Sequence, residues 1–150
     1  VKVGVTRKTQ MPTRWIDQGA EEAIVVVEVP NRYLAGITEV ALKNHFADKT
    51  NWRKMLTNTY DAVDLVQEKA KVQAWLPDEV REFYNLDKNE IIAMHYPVAA
   101  YPAKVNSLNL DKTPFYQGQL IGVKGQYLLF QDGTVFNVRS YEGYVVQIAI

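Results

Sequence analysis

Ala23-Ile24-Val25-Val26-Val27-Glu28-Val29, closed by Pro30-Asn31, decides how the rest of the chain reads. Ile24 to Val27 are β-branched without interruption, which restricts their side-chain torsions and suits a pleated strand. A continuous apolar run, rather than an alternating one, predicts a central strand covered on both faces. Beyond Asn31, apolar residues at Leu34, Ile37, Val40, Ala41, Leu42 and Phe46 recur at helical spacing and predict a helix to about Ala47. Upstream, Lys2-Val3-Gly4-Val5-Thr6 reads as a short strand. Thr9 or Thr13 can cap a helix through Arg14-Trp15-Ile16, stopped at Gly19. Residues 1–58 thus read as an α/β layer, with Asp48 to Leu56 as a basic, Trp-containing exit.

Residues 59–90 read as a helical connector. Ala62, Leu65, Lys69, Val72 and Leu76 form one stripe, Leu76-Pro77-Asp78 breaks it, and a short helix follows from Glu79 to Tyr84. Residues 91–150 turn to β, with alternation in Gln119 to Val123, Gln126 to Phe130 and Thr134 to Val138. Gln131-Asp132-Gly133 is a hairpin signal, and Tyr144 to Ile150 forms a last strand. The fold class is α+β, its C-terminal part a small antiparallel sheet or barrel. Each part is near the lower size limit for independent folding, so they are expected to share an interface.

The 150 residues are 47% hydrophobic and 23% charged, the composition of a globular chain, and no run is long enough to cross a membrane. A cytoplasmic location is the expectation. Zero cysteine excludes disulfides, thiol catalysis and cysteine-held metal in this chain. The net charge of zero is a sum of unlike blocks. Residues 1–60 hold nine basic and six acidic side chains, residues 61–92 four and eight, and residues 93–150 four and three. The positive first block leaves room for a nucleic-acid partner.

No His-x-x-x-His pair, Gly-rich phosphate loop or Gly-x-Ser-x-Gly elbow is present, and His45 and His95 read as surface or packing histidines. Gly4, Arg14 and Glu39 are more informative. A glycine at a strand end lets a phosphate or metal approach the backbone, an arginine can hold a phosphate bidentately, and a carboxylate can hold a divalent cation. The plain alternative is a turn glycine, a solvated arginine and one helix-face glutamate. In the C-terminal part, Lys104, Lys112, Lys124 and Arg139 interleave with Tyr116, Tyr127, Tyr141 and Tyr144. That pattern suits either a base-stacking platform or cross-strand packing, and the small charge excess favours packing.

Lys2-Val3-Gly4-Val5-Thr6, Arg14 ten residues after Gly4, and Glu39 within Ile37-Thr38-Glu39-Val40-Ala41-Leu42 resemble the GIY-YIG endonuclease superfamily. The resemblance implies that Gly4 is the second motif's glycine, Arg14 the catalytic arginine and Glu39 the glutamate that binds Mg²⁺ or Mn²⁺. Lys2 stands where that motif carries tyrosine, Arg14 lies about two residues later than usual, and the first motif would precede Val1. Over a longer span, Pro12-Thr13-Arg14-Trp15-Ile16-Asp17-Gln18-Gly19-Ala20, Asn51-Trp52-Arg53-Lys54-Met55-Leu56 and Lys104 to Pro114 look like the bacterial family catalogued as domain of unknown function 2797. Gly122 to Leu129, Phe136 to Arg139 and Gly143-Tyr144 extend that match. Members of that family are typically longer at the N-terminus, which implies that this chain is a C-terminal portion and that a preceding segment packs on residues 1–30.

These resemblances imply a nucleic-acid-associated protein, DNA or RNA, with phosphate contacts at Lys2, Gly4, Thr6, Arg7, Lys8, Arg53 and Lys54. Its activity would be at most divalent-metal-dependent endonuclease cleavage, and no motif tyrosine is present as general base. The alternative is a catalytically silent adaptor for RNA, a ribonucleoprotein or a protein.

Overall fold

Asn31 ends the β-branched run by capping the helix that follows. Its Oδ1 accepts the Leu34 N–H at 3.0 Å, at the first turn of α2 (Arg32–Leu42). The computed structural model describes residues 1–47 and 49–150, and in it α2 is preceded by α1 (Thr13–Asp17) and β1 (Glu22–Ile24). The helix stops five residues before the expected Ala47 because the chain turns to pack aromatic rings. His45 lies flat on Trp75 at 3.9 Å, and Phe46 meets the same indole edge-on at 5.9 Å. The basic exit begins at Asp48, which lies outside the described residues; its later part forms α3 (Trp52–Leu56), capped by Asn51.

The expected central strand over residues 23–29 is shorter and less central than its sequence predicts. Only β1 pairs, antiparallel, with β2 (Ile91–Ala93), and beyond it Val27 alone bridges Tyr84. The opposite segment of this chain explains the limit. Asn85 to Asn89 closes on itself through Asn85 Oδ1 to Asp87 N at 2.8 Å and Asp87 O to Asn89 N at 3.2 Å, leaving no strand edge to continue the ladder. Likewise Lys2 to Thr6 makes a single bridge, Lys2 to Ala47, rather than a strand.

The expected connector helix begins at Leu65, where the Asp64 carboxylate accepts the Val66 and Gln67 N–H groups, and runs as α4 (Leu65–Val72) into a tight turn. Of its stripe Lys69, Val72 and Leu76 are buried and Leu65 half-buried, while Ala62 lies ahead of the helix and is exposed. Val72, Leu76 and Val80 join Leu42 of α2 in one core, with Val3, Val26, Val27, Val29 and Phe46 packed around them. A second core gathers Leu56 of α3 with Val105, Leu129 and Val135. The cores do not follow the divisions at residues 58 and 90: α3 serves the C-terminal core, while β2 pairs with the N-terminal β1.

The C-terminal sheet has the order β3-β6-β5-β4, with β3 (Asn106–Ser107), β4 (Leu120–Lys124), β5 (Tyr127–Phe130) and β6 (Thr134–Asn137). The hairpin at Gln131-Asp132-Gly133 is present, and Gly133 adopts φ +85°, which a side chain there would strain. The sheet is mixed rather than purely antiparallel, because the two residues of β3 run parallel to β6. Tyr144 to Ile150 is not a strand. The outer edge of β4 is already taken by residues 97–99, through Ala99 N to Ile121 O at 2.8 Å and Val123 N to Pro97 O at 3.0 Å.

Candidate nucleic-acid interface

The N-terminal basic residues divide into engaged and unengaged groups. Lys2 donates to Gln18 Oε1 at 2.9 Å, Lys8 lies 3.4 Å from Glu28, and Lys54 lies 3.7 Å from Asp61. Lys88 also reaches Glu28, at 3.0 Å, and these two ammonium groups hold the Glu28 carboxyl below its ordinary value, the Lys88 hydrogen bond most of all. Arg7, Arg14 and Arg53 are exposed and, among the described residues, have no acidic partner within 4.0 Å. The Thr6 hydroxyl donates to the Arg7 carbonyl at 3.4 Å, and Gly4 has open space where a side chain would stand.

Two of these arginines sit on helices in contact. Gly19, in the left-handed conformation at φ +67° after α1, lets Met55 of α3 pack where a methyl group would overlap its sulfur. Gly125, in the β4–β5 turn, lies against the Asp17 carbonyl and the Gly19 amide. Arg14 of α1 and Arg53 of α3 therefore project from elements that meet at one junction. Beside that turn lies an open groove of about 330 Å³ bordered by Tyr127, Val138 and the exposed Arg139.

Glu39 is on the exposed side of α2 and bonds to neither Arg14 nor the Gly4 segment. Among the described residues no group of three or more His, Cys, Asp or Glu side chains gathers to hold a cation. One exposed carboxylate supplies a single ligand. Mg²⁺ at Glu39 would therefore take its other ligands from water and phosphate oxygens.

The structure also reveals polar groups that the sequence pattern hid. Lys124 is 1% exposed, and its ammonium meets Glu21 Oε1, lies 3.3 Å from Asn58 Oδ1 and rests over the rings of Tyr101 and Tyr96 at 4.8 and 5.2 Å. It therefore belongs to the interior rather than to a phosphate-facing platform. Tyr116, Tyr141 and Tyr144 likewise follow the packing reading: Tyr116 stands edge-on to Phe130, Tyr141 stacks on Phe136 and Tyr144 meets Tyr141. Tyr127 differs, since its ring stacks on Trp52 at 5.9 Å, and the Arg53 guanidinium lies over Trp52 at 4.3 Å. The signal for Lys124 was Gly122 two positions earlier. Val98 packs so closely on Gly122 that an added methyl would stand 2.8 Å from the Val98 backbone, which marks that side of β4 as the buried one.

No curated protein and no solved structure matches this chain. The family model described as protein of unknown function (DUF2797) matches residues 1–146, so the chain belongs to that family.

Proposed function

We propose that this chain is a nucleic-acid-associated module with a GIY-YIG-like N-terminal layer, which holds backbone phosphates through Arg7, Arg14 and Arg53 and acts as a binding adaptor without turnover of its own. The observation that carries the reading is that, among the described residues, those three arginines have no acidic partner within 4.0 Å while Lys2, Lys8 and Lys54 are engaged by protein groups. A planar guanidinium with free N–H donors suits a phosphate bidentately. The test is fluorescence anisotropy with labelled single-stranded, duplex and branched DNA and RNA. Arg7→Glu combined with Arg14→Glu should weaken binding at every salt concentration; unchanged binding refutes the surface assignment.

A second reading, metal-dependent phosphodiester cleavage, is favoured by the element order: the Gly4 segment, Arg14 on α1, then β1, then Glu39 on α2. That order follows the succession in the GIY-YIG superfamily. Cleavage of the same substrates with Mg²⁺ or Mn²⁺, lost in Glu39→Ala, would support it.

A further inference from the structure

The stack formed by Tyr127, Trp52 and Arg53 spans the junction between the C-terminal sheet and α3. Tyr127 and Trp52 lie nearly parallel, 13° apart, and both lean on the second core, so the inner end of the stack is fixed by packing. The outer end is a guanidinium laid over an indole, 4.3 Å from its centroid, on an exposed residue without an acidic partner among the described residues. A paired arginine spends its N–H donors on a carboxylate. Among the described residues this one has no such partner, and a planar guanidinium that covers an indole on an exposed residue has a second face that a ligand can cover.

Those two features fit different parts of one nucleotide. The edge donors suit a phosphate oxygen, and the face suits the π-surface of a base. A base within a duplex hides both faces in its own stack, so only an unpaired base can be laid on Arg53. We infer that Arg53, held flat by Trp52 and Tyr127, is a stacking site for an unpaired nucleobase, and that the nucleic acid bound by this chain is single-stranded at that point. The inference rests on the nucleic-acid reading above and adds the substrate class to it.

Arg53→Lys is the discriminating variant, because it keeps the charge, removes the planar group and changes an exposed residue. Single-stranded and fully paired oligonucleotides of equal length are titrated by anisotropy against wild type, Arg53→Lys and Trp52→Phe. Loss of one stacked base lowers single-strand affinity by about five- to a hundredfold. Arg53→Lys should show that loss for the single strand and a clearly smaller loss for the duplex, where only the phosphate contact is weakened; Trp52→Phe, which keeps a smaller ring beneath the guanidinium, should fall between it and wild type on the single strand. Equal affinity of wild type and Arg53→Lys for the single strand overturns the inference, as does an equal loss for both substrates, which would make Arg53 a bidentate phosphate contact and nothing more. A wild-type protein that binds duplex and ignores single strands also overturns it while leaving the proposed function standing. Failure of the wild type to bind either substrate removes the proposed function itself.

Discussion

Lys124 on β4 and Glu21 just before β1 form an ion pair that ties the four-stranded sheet to the two-stranded one. The lysine side chain is 1% exposed and the glutamate 31%, so the two ends of the bond stand in different media. Glu21→Ala leaves a buried ammonium with one amide oxygen and two ring faces, and should destabilise the protein by about 3–5 kcal/mol. Lys124→Met leaves the carboxylate with access to water and fills the same space, and should cost much less. Urea unfolding of the two variants checks this. Equal losses would mean that the pair itself, rather than an unpaired buried ammonium, sets the cost.

The contact between Gly19 and Met55 joins α1 to α3 by close approach. At Gly19→Ala, the left-handed backbone costs about 1–2 kcal/mol, and the overlap with the thioether adds about 1–3 kcal/mol. Met55→Ala in the same chain should remove the overlap and leave the backbone part, so the double variant should lose less than the sum of the single losses. Additive losses in urea unfolding would show that the helices do not meet through this pair.

The second core shows which parts of this fold can be read in advance. Leu129 and Val135 alternate as period-two patterning requires, and the Asp132-Gly133 turn fixes the register between their strands. Helix starts were less legible: α2, capped by Asn31, starts at Arg32, ahead of the periodicity that begins at Leu34, and α3, capped by Asn51, lies in a stretch that reads only as a basic exit. Pairing partners were not legible: Ile24 to Val27 has the composition of a central strand, yet its ladder ends where the opposite segment turns on its own side chains. The site shows the same division. Arg14 and Glu39 fall on helices as their spacing suggests, but which cations are free depends on distant carboxylates such as Glu28 and Asp61, and no local pattern encodes that. Lys124 was hidden because a lysine in an alternating strand reads as solvent-facing until the glycine beside it is recognised as a point of close packing.

Alkaline pH should act through Tyr96. Its phenol donates to the Ala20 carbonyl at 2.7 Å; burial, followed by the nearby Glu21 carboxylate and Tyr101, pushes its pKa up to about 12. In the unfolded chain a tyrosine ionises near 10. The folded state holds this proton more tightly, so the contribution is complete below about pH 10 and is lost as pH rises through about 12, with a slope approaching 1.4 kcal/mol per pH unit. Lys69 acts with the opposite sign. Burial, then Lys88, lowers its pKa, so stability rises as pH climbs through that lowered value toward the unfolded one. Comparing urea midpoints of wild type and Tyr96→Phe from about pH 9 to about pH 12 isolates the tyrosine: the variant should show a shallower alkaline loss, and identical profiles would exclude Tyr96 as the cause.

Salt dependence and Glu39 together separate binding from cleavage. Each phosphate held on a single strand contributes about −0.7 to the slope of log affinity against log salt, so contacts at Arg7, Arg14 and Arg53 predict a slope near −2. Arg7→Glu with Arg14→Glu should flatten it. Glu39→Gln removes a negative charge from residues 1–60, which hold nine basic and six acidic side chains, so for a binding adaptor its affinity should stay level or rise slightly and its slope should not change. If Glu39 serves cleavage instead, the same variant abolishes Mg²⁺-dependent turnover while binding persists. A wild-type protein that cleaves no substrate with Mg²⁺ or Mn²⁺, yet binds with the predicted slope, leaves the adaptor reading in place; cleavage lost in Glu39→Gln replaces it with the nuclease reading.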